Sequence, residues 1–221
     1  MPFGWFKSDR SGEASYHCEL ADEALQGGDL DTAIDCYRKA LERDPNHAAA
    51  FHGMGIAHLA RDELGEAVAS FRRAVELTSD PGDVLLLLGF ALIQKSEFDE
   101  ALLVYRRAAE LRPDRPDAHF GLGVGLARQD RAAESAEAFG RAIALKPEDA
   151  EAHNNLAVVL VALDRVDEAV SSYRRAIDLQ PKHAEAHHGL GVCLQKQGKD
   201  EESERQFQLA HRLDPSLNEP C

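Results

Sequence analysis

From Ala14 to Leu217 the chain divides into six consecutive windows of 34 residues, with no insertion or deletion between them. One column reads Leu20, Met54, Leu88, Leu122, Leu156, Leu190, and the next Ala21, Gly55, Gly89, Gly123, Ala157, Gly191. Further along stand Ala33, Ala67, Ala101, Ser135, Ala169, Ser203, then Tyr37, Phe71, Tyr105, Phe139, Tyr173, Phe207. An unbroken alanine column follows: Ala40, Ala74, Ala108, Ala142, Ala176, Ala210. Pro45, Pro113, Pro147, Pro181 and Pro215 close five windows, and Ser79 the other. A fixed period of this size means one small unit, unable to bury its apolar face alone, stacked on copies of itself. Only residues 1–13 and 218–221 lie outside the windows, which leaves no length for a separate catalytic domain.

Each window reads as two amphipathic helices around a polar break. Leu156, Leu160 and Leu163, and then Val166, Ala169, Val170 and Tyr173, follow the spacing of a helix face. Gly27-Gly28, Lys95-Ser96 and Gln197-Gly198 lie where the first helix of a window must stop. A connection this short makes the two helices antiparallel neighbours. The Gly/Ala columns are expected to let the two backbones approach, with the Tyr/Phe column filling the adjoining volume. The closing proline cannot continue a helix and disfavours helical geometry in the residue before it.

The spacing, with Leu-Gly, Ala, Tyr/Phe, Ala and Pro at fixed offsets, resembles the tetratricopeptide repeat family over residues 14–217. The resemblance implies an all-α fold. It would be a right-handed superhelical solenoid of six helix-turn-helix repeats, 14–47, 48–81, 82–115, 116–149, 150–183 and 184–217. The first helix of each repeat would line a concave face. Departures from the family pattern are few. His58 and several leucines replace a tyrosine in the first helix, and Ser135 and Ser203 replace alanine. Ser79 replaces the closing proline, with Pro81 two residues on, which predicts a different bend at that junction. In the sixth window Asp200, Glu204 and His211 stand in columns filled elsewhere by Leu30, Ile34 and Leu41 or their apolar counterparts, as a terminal cap requires.

The face of each first helix turned away from its partner helix is the candidate binding surface. Spaced i, i+3, i+7, i+10, it begins with Ser15, Cys18, Asp22, Leu25. The candidate groove residues are His52, Ile56, Asp83, Leu86, Phe90, Asp117, Phe120, Val124, Glu151, Asn154, Val158, Glu185 and His188. From the second repeat to the fifth this strip is apolar, and exposed apolar strips mark partners. The same residues also suit plain packing between adjacent helices. Asp83, Asp117, Glu151 and Glu185 form an acidic rail beside it, suited to Lys or Arg in a partner; the same carboxylates complement a helix dipole. The family's co-chaperone adaptors grip C-terminal carboxylates with Lys, Asn and Arg. Cys18, Asp22, Gly53, Asp83 and Leu87 stand at the matching positions, and none is a basic donor. Only Asn154 and Asn155 are similar to the asparagine ladder of the family's glycosyltransferases.

The net charge of −14, from 25 Lys and Arg against 39 Asp and Glu, opposes binding to nucleic acid or anionic lipid. No apolar run approaches a membrane span, and MPFGWFKSDR lacks the layout of a signal peptide. Cys18, Cys36, Cys193 and Cys221 form no CxxC pair, so reduced thiols in a cytoplasmic location are expected. His17, His119, His153 and His187 share one repeat column on successive helices, which favours packing over a metal site. Gly121, Gly123 and Gly125 sit within a helix with no strand before them, so no nucleotide loop is read. Arg72-Arg73, Arg106-Arg107 and Arg174-Arg175, with Glu76, Glu110 and Asp178 three and four residues on, read as solvated i, i+4 faces. No nucleophile–base set stands out, and no cofactor or metal is expected.

These residues predict a non-catalytic adaptor or assembly factor that binds an extended or helical protein segment, with basic and apolar residues, in an acid-rimmed groove. Two other readings fit the same sequence. One is a self-assembling scaffold in which the PFGWF segment, with Trp5 and Phe6, docks in the groove of another copy and gives homo-oligomers; the same segment also suits a cap on the first repeat. The other is a regulatory subunit of a separately encoded enzyme. The repeat pattern itself names no partner.

Overall fold

The computed structural model describes residues 10–217, and among them it contains twelve α-helices and no strand. The aromatic segment with Trp5 and Phe6, and the tail with Cys221, lie outside the described residues. The helices are α1 Arg10–Gln26, α2 Leu30–Arg43, α3 Ala48–Ala60, α4 Leu64–Leu77, α5 Gly82–Gln94, α6 Phe98–Leu111, α7 Pro116–Arg128, α8 Ala132–Leu145, α9 Ala150–Ala162, α10 Val166–Leu179, α11 Ala184–Lys196 and α12 Asp200–Leu213. From α3 onward, each odd-numbered (A) helix begins 34 residues after the last, and every even-numbered (B) helix does the same. Ser79 shifts nothing in this register: α5 still begins at Gly82, with Pro81 in the capping position.

One backbone device ends every A helix. Gly28, Asp62, Ser96, Asp130, Asp164 and Gly198, one per repeat, adopt left-handed φ angles between 57° and 79°. The next amide then reaches back to close the helix, as in Glu63 N–H to His58 O at 2.9 Å and Arg165 N–H to Leu160 O at 2.9 Å. Glycine reaches this conformation freely and aspartate tolerates it, which is why the breaks at Gly28 and Gly198 are legible and the others less so.

Side chains fix the start of three A helices, α3, α9 and α11. Asp149 accepts the Ala152 amide at 3.2 Å. His47 Nδ1 accepts that of Ala50 at 3.2 Å, and His183 Nδ1 that of Ala186 at 3.4 Å. The histidine column has a repeated structural task. Nε2 of His119, His153 and His187 lies 3.1–3.2 Å from the carbonyl oxygen of Pro113, Pro147 and Pro181, tying each helix to the proline that precedes it.

The glycine columns work differently from the expected close approach of backbones. What a Cβ would meet is the aromatic ring. On Gly55 it would lie 2.6 Å from Phe71, on Gly89 2.7 Å from Tyr105, on Gly123 2.7 Å from Phe139, and on Gly191 2.7 Å from Phe207. In the first and fifth repeats this column holds Ala21 and Ala157, and there the glycine has moved. Gly53 on α3 and Gly189 on α11, each on the following A helix, would place a Cβ inside the phenols of Tyr37 and Tyr173. Conversely, Phe71 and Phe139 are followed in that column by Leu87 and Asn155. Tyrosine occurs in odd repeats and phenylalanine in even ones, but Tyr105 of the third repeat lies on Gly89 of its own A helix, so only Tyr37 and Tyr173 lean onto the following one. In the even repeats the sequence reads His52-Gly53-Met54-Gly55, Phe120-Gly121-Leu122-Gly123 and His188-Gly189-Leu190-Gly191.

The serines in the small column are buried and satisfied. Ser135 Oγ donates to Gly123 O at 2.7 Å and Ser203 Oγ to Gly191 O at 2.8 Å.

The chain divides into two compact units, Met1–Leu111 and Arg112–Cys221. In the first, α1–α2, α3–α4 and α5–α6 pair, and α2 and α4 each pack on the next A helix. In the second, α7–α8, α9–α10 and α11–α12 pair, with α8 and α10 bridging in the same way. Within each unit the backbones of consecutive A helices approach closely and those of consecutive B helices do not, so the A helices lie on the inside of each unit's curve. Asp200, Glu204 and His211 on α12 are exposed, whereas Ile34, Val68 and Val170 in the Glu204 column are buried and Leu30 and Leu41 in the other two are partly buried.

Candidate binding face

The A-helix face carries the thirteen candidate residues at graded depth. Asp83, Phe90, Asp117, Glu151, Val158 and Glu185 are exposed, with Phe90 at 45% and Val158 at 52%. His52, Ile56, Leu86, Phe120, Val124 and His188 are partly buried. Asn154 is buried, at 4% exposed.

The partly buried aromatics stand on the B-helix rings of their own repeats. His52 meets Phe71 at 6.3 Å between centroids, Phe120 meets Phe139 edge-on at 5.5 Å, and His188 meets Phe207 at 5.4 Å. Burial lowers the pKa of His52, against the opposing fields of Asp22 and Asp83.

In the second unit the rail, an aromatic and a cleft coincide. A cleft of about 220 Å³ between α7 and α9 is lined by Pro116, Asp117, Phe120, Ala142, Asp149, Glu151 and Ala152. Burial works against the Asp149 carboxylate, but hydrogen bonds from Lys146 and the Ala152 amide outweigh it and hold its pKa below the ordinary value. Asp117 lies 3.2 Å from Arg115, and Glu151 accepts from Asn155 at 2.8 Å. Both carboxylates nevertheless keep more than half of their side chains exposed. Spacing brought Asp117, Phe120 and Glu151 together as one strip; Asp149 was missed because it reads as a helix cap, which it also is.

Two larger cavities lie on the B-helix side, where the B helices splay. One of about 530 Å³ is floored by Leu156 and Leu160 between α8 and α10. The other, of about 550 Å³, is floored by Met54 and His58 between α2 and α4. Their floors are repeat equivalents, and no signal in the sequence separates them from ordinary packing. The arginine doublets also act across repeats rather than only along a helix. Arg73 pairs with Glu76 on its own helix, but Arg72 donates to Glu100 and Arg174 lies 3.7 Å from Glu202, each on the next B helix.

Cys18, Cys36 and Cys193 are free thiols, and burial, reinforced by Asp22 and Glu19, pushes Cys18 up to about 11. Among the described residues no helix is long and apolar enough to cross a membrane.

Family models described as tetratricopeptide repeat match residues 18–84 and 148–216, and one described as TPR repeat matches residues 89–130. The chain belongs to the tetratricopeptide repeat family, whose members are protein–protein interaction modules. Its structure is similar to that of YrrB, described as a TPR protein with an unusual peptide-binding site, at a TM-score of 0.71 and 28% identity, over 79% of this chain and 90% of that one. PilF of Pseudomonas aeruginosa aligns at a TM-score of 0.79 and 21% identity, over 93% and 94%. MamA of Desulfovibrio magneticus RS-1 aligns at 0.70 and 19%, over 78% and 97%. These last two likenesses speak to the fold alone. No curated protein matches the sequence significantly.

Proposed function

We propose that this protein is a non-catalytic adaptor that binds a segment of a partner protein along its A-helix face, and that the segment presents apolar residues and at least one Lys or Arg. The observation that carries this reading is the cleft of about 220 Å³ in which Asp117, Asp149 and Glu151 surround Phe120. A cation over an aromatic ring, with carboxylates at the rim, gains from both the ring quadrupole and the charges. A partner's aliphatic stem would cover Phe120 while its charged head stays at the wet rim. The likeness to a protein with a peptide-binding site supports a peptide as the ligand. The family's usual role as an interaction module supports the absence of catalysis.

The test is a titration with a synthetic peptide alternating leucine and lysine, beside a control in which glutamate replaces lysine. The paired change Asp117→Asn and Glu151→Gln is expected to weaken the lysine peptide by about 1–2 kcal/mol and to leave the control unchanged. Equal affinity of the two peptides for the unaltered protein would overturn the reading.

A further inference from the structure

On the B-helix side an arginine of one B helix can strap to a glutamate of the next. Two such steps within the units are strapped. Arg72 donates to both carboxylate oxygens of Glu100, at 3.1 and 2.6 Å, and Arg174 lies 3.7 Å from Glu202. The two B-side cavities lie at the matching steps that are not. Between α8 and α10 Gly140 replaces the arginine, Glu168 is held by Arg165 at 2.7 Å, and Leu160 is on the floor. Between α2 and α4 Arg38 turns instead to Asp35 of its own helix, at 3.3 Å. Glu66 and Glu42, both lining this cavity, are exposed and make no ion pair among the described residues. His58 stands where Leu160 stands in the other cavity and is 6% exposed. Its Nδ1 lies 2.6 Å from Glu63. That hydrogen bond, against burial and with help from Arg61, holds the Glu63 carboxyl below its ordinary pKa, so the ring proton sits on Nδ1. Nε2 is then a bare acceptor. It makes no hydrogen bond among the described residues, and it is not sealed from solvent. Ser70, 5% exposed, brings a second unpaired polar atom to the same cavity.

A buried acceptor left bare costs free energy, and native proteins retain few of them without a reason. Apart from the Ser70 hydroxyl, the unpaired groups on this cavity of about 550 Å³ are all acceptors. We propose that it takes an arginine side chain of a partner protein. The guanidinium donates to Nε2 of His58 and to Glu66, while the stem covers Leu41 and Met54. The chain itself supplies the template, since Glu100 takes a guanidinium from Arg72 in the matching place one repeat on. A guanidinium spreads five donors over a plane and reaches acceptors on α3 and α4 together. An ammonium gathers its donors on one strongly hydrated nitrogen. The α8–α10 cavity, of similar size but with a leucine floor and its Glu168 engaged, is the internal control. The α2–α4 gap lies in the first unit and the Asp117–Phe120 cleft in the second, so the two sites stand or fall separately.

The test is NMR of the histidine ring nitrogens and backbone amides of the full chain, titrated with N-acetylargininamide. N-acetylcitrullinamide, its neutral isostere, and N-acetyllysinamide are the controls. The arginine probe is expected to move the His58 Nε2 resonance and the Ser70 amide saturably, with Leu160 and Ser172 unmoved. Both controls are expected to leave His58 unmoved. His58→Leu copies Leu92, Leu126, Leu160 and Leu194 of the same column, so the fold is expected to stand. The Ser70 response should then weaken about tenfold, and Glu66→Gln is expected to weaken it about as much. No binding of the arginine probe, equal binding of either control, or full binding by His58→Leu would overturn the proposal. So would an Nε2 already hydrogen-bonded in the free protein and released by Arg38→Gln, because the chain would then fill the gap itself. Shifts at Asp117, Phe120 and Glu151 report on the A-side cleft alone, so the gap can fail while the cleft stands, and the reverse.

Discussion

The first and fifth repeats solve a packing problem differently from the other four. Each B helix carries a ring that needs a glycine beneath it. In the second and fourth repeats Phe71 and Phe139 lie on glycines of their own A helix, Gly55 and Gly123, so the next A helix can carry Leu87 or Asn155. In the first and fifth, Tyr37 and Tyr173 lie against Gly53 and Gly189 of the following A helix, while their own helix carries Ala21 or Ala157. The hydroxyl therefore arrives at the seam between two A helices, next to the candidate binding face. The glycines are there to clear rings, and their placement decides what chemistry reaches that face.

The comparison breaks most sharply at Gly53. Gly53→Val puts branched carbon into the Tyr37 phenol and is expected to cost about 3 kcal/mol or more, read by chemical denaturation. Leu87→Val, in the same column but following a phenylalanine, is expected to cost about 1 kcal/mol. Equal costs at the two sites would end the account of forward-leaning rings.

A smaller effect separates the serine repeats from the alanine repeats. Ser135→Ala removes the 2.7 Å bond to Gly123 O and is expected to lower stability by about 1 kcal/mol. Ala169→Ser, at the same column of the next repeat, should be nearly neutral if its hydroxyl finds the equivalent carbonyl. Thermal melts of both variants check the pair.

The smallest expected effect compares His52 with Phe120. Burial lowers the folded-state pKa of His52, so the unfolded chain binds a proton more readily. Stability from this group is therefore complete above the ordinary histidine value of about 6.5 and declines as pH falls through it toward the lower folded value. His52→Phe copies the fourth repeat and is expected to flatten that part of the pH–stability curve. An unchanged slope would contradict the assignment.

Much of this was open to reading in the sequence, for a physical reason. A fixed period leaves one register, so α3, α5, α7, α9 and α11 begin where the columns require, and even Ser79 does not displace α5. The strip through Asp117, Phe120 and Glu151 follows from helical spacing alone. What spacing does not reveal is the tilt of a ring. Gly53 and Gly189 looked incidental because the Tyr/Phe column gives no sign that only the first and fifth rings lean forward. The histidine column read as packing, and its hydrogen bonds to Pro113, Pro147 and Pro181 depend on a loop path that the pattern leaves open. The B-side cavities arise from the splay of α2 from α4 and of α8 from α10, a property of packing that no single residue encodes.

Those cavities also define the most direct test of the central claim, because they are larger than the cleft the claim relies on. The measurement is chemical-shift mapping of the full chain with the leucine–lysine peptide. The account predicts the largest changes at Asp117, Phe120 and Glu151 on the A-helix side, with Met54, His58, Leu156 and Leu160 undisturbed. Changes centred on those four B-side floor residues, with the Asp117–Phe120 cleft silent, would contradict it.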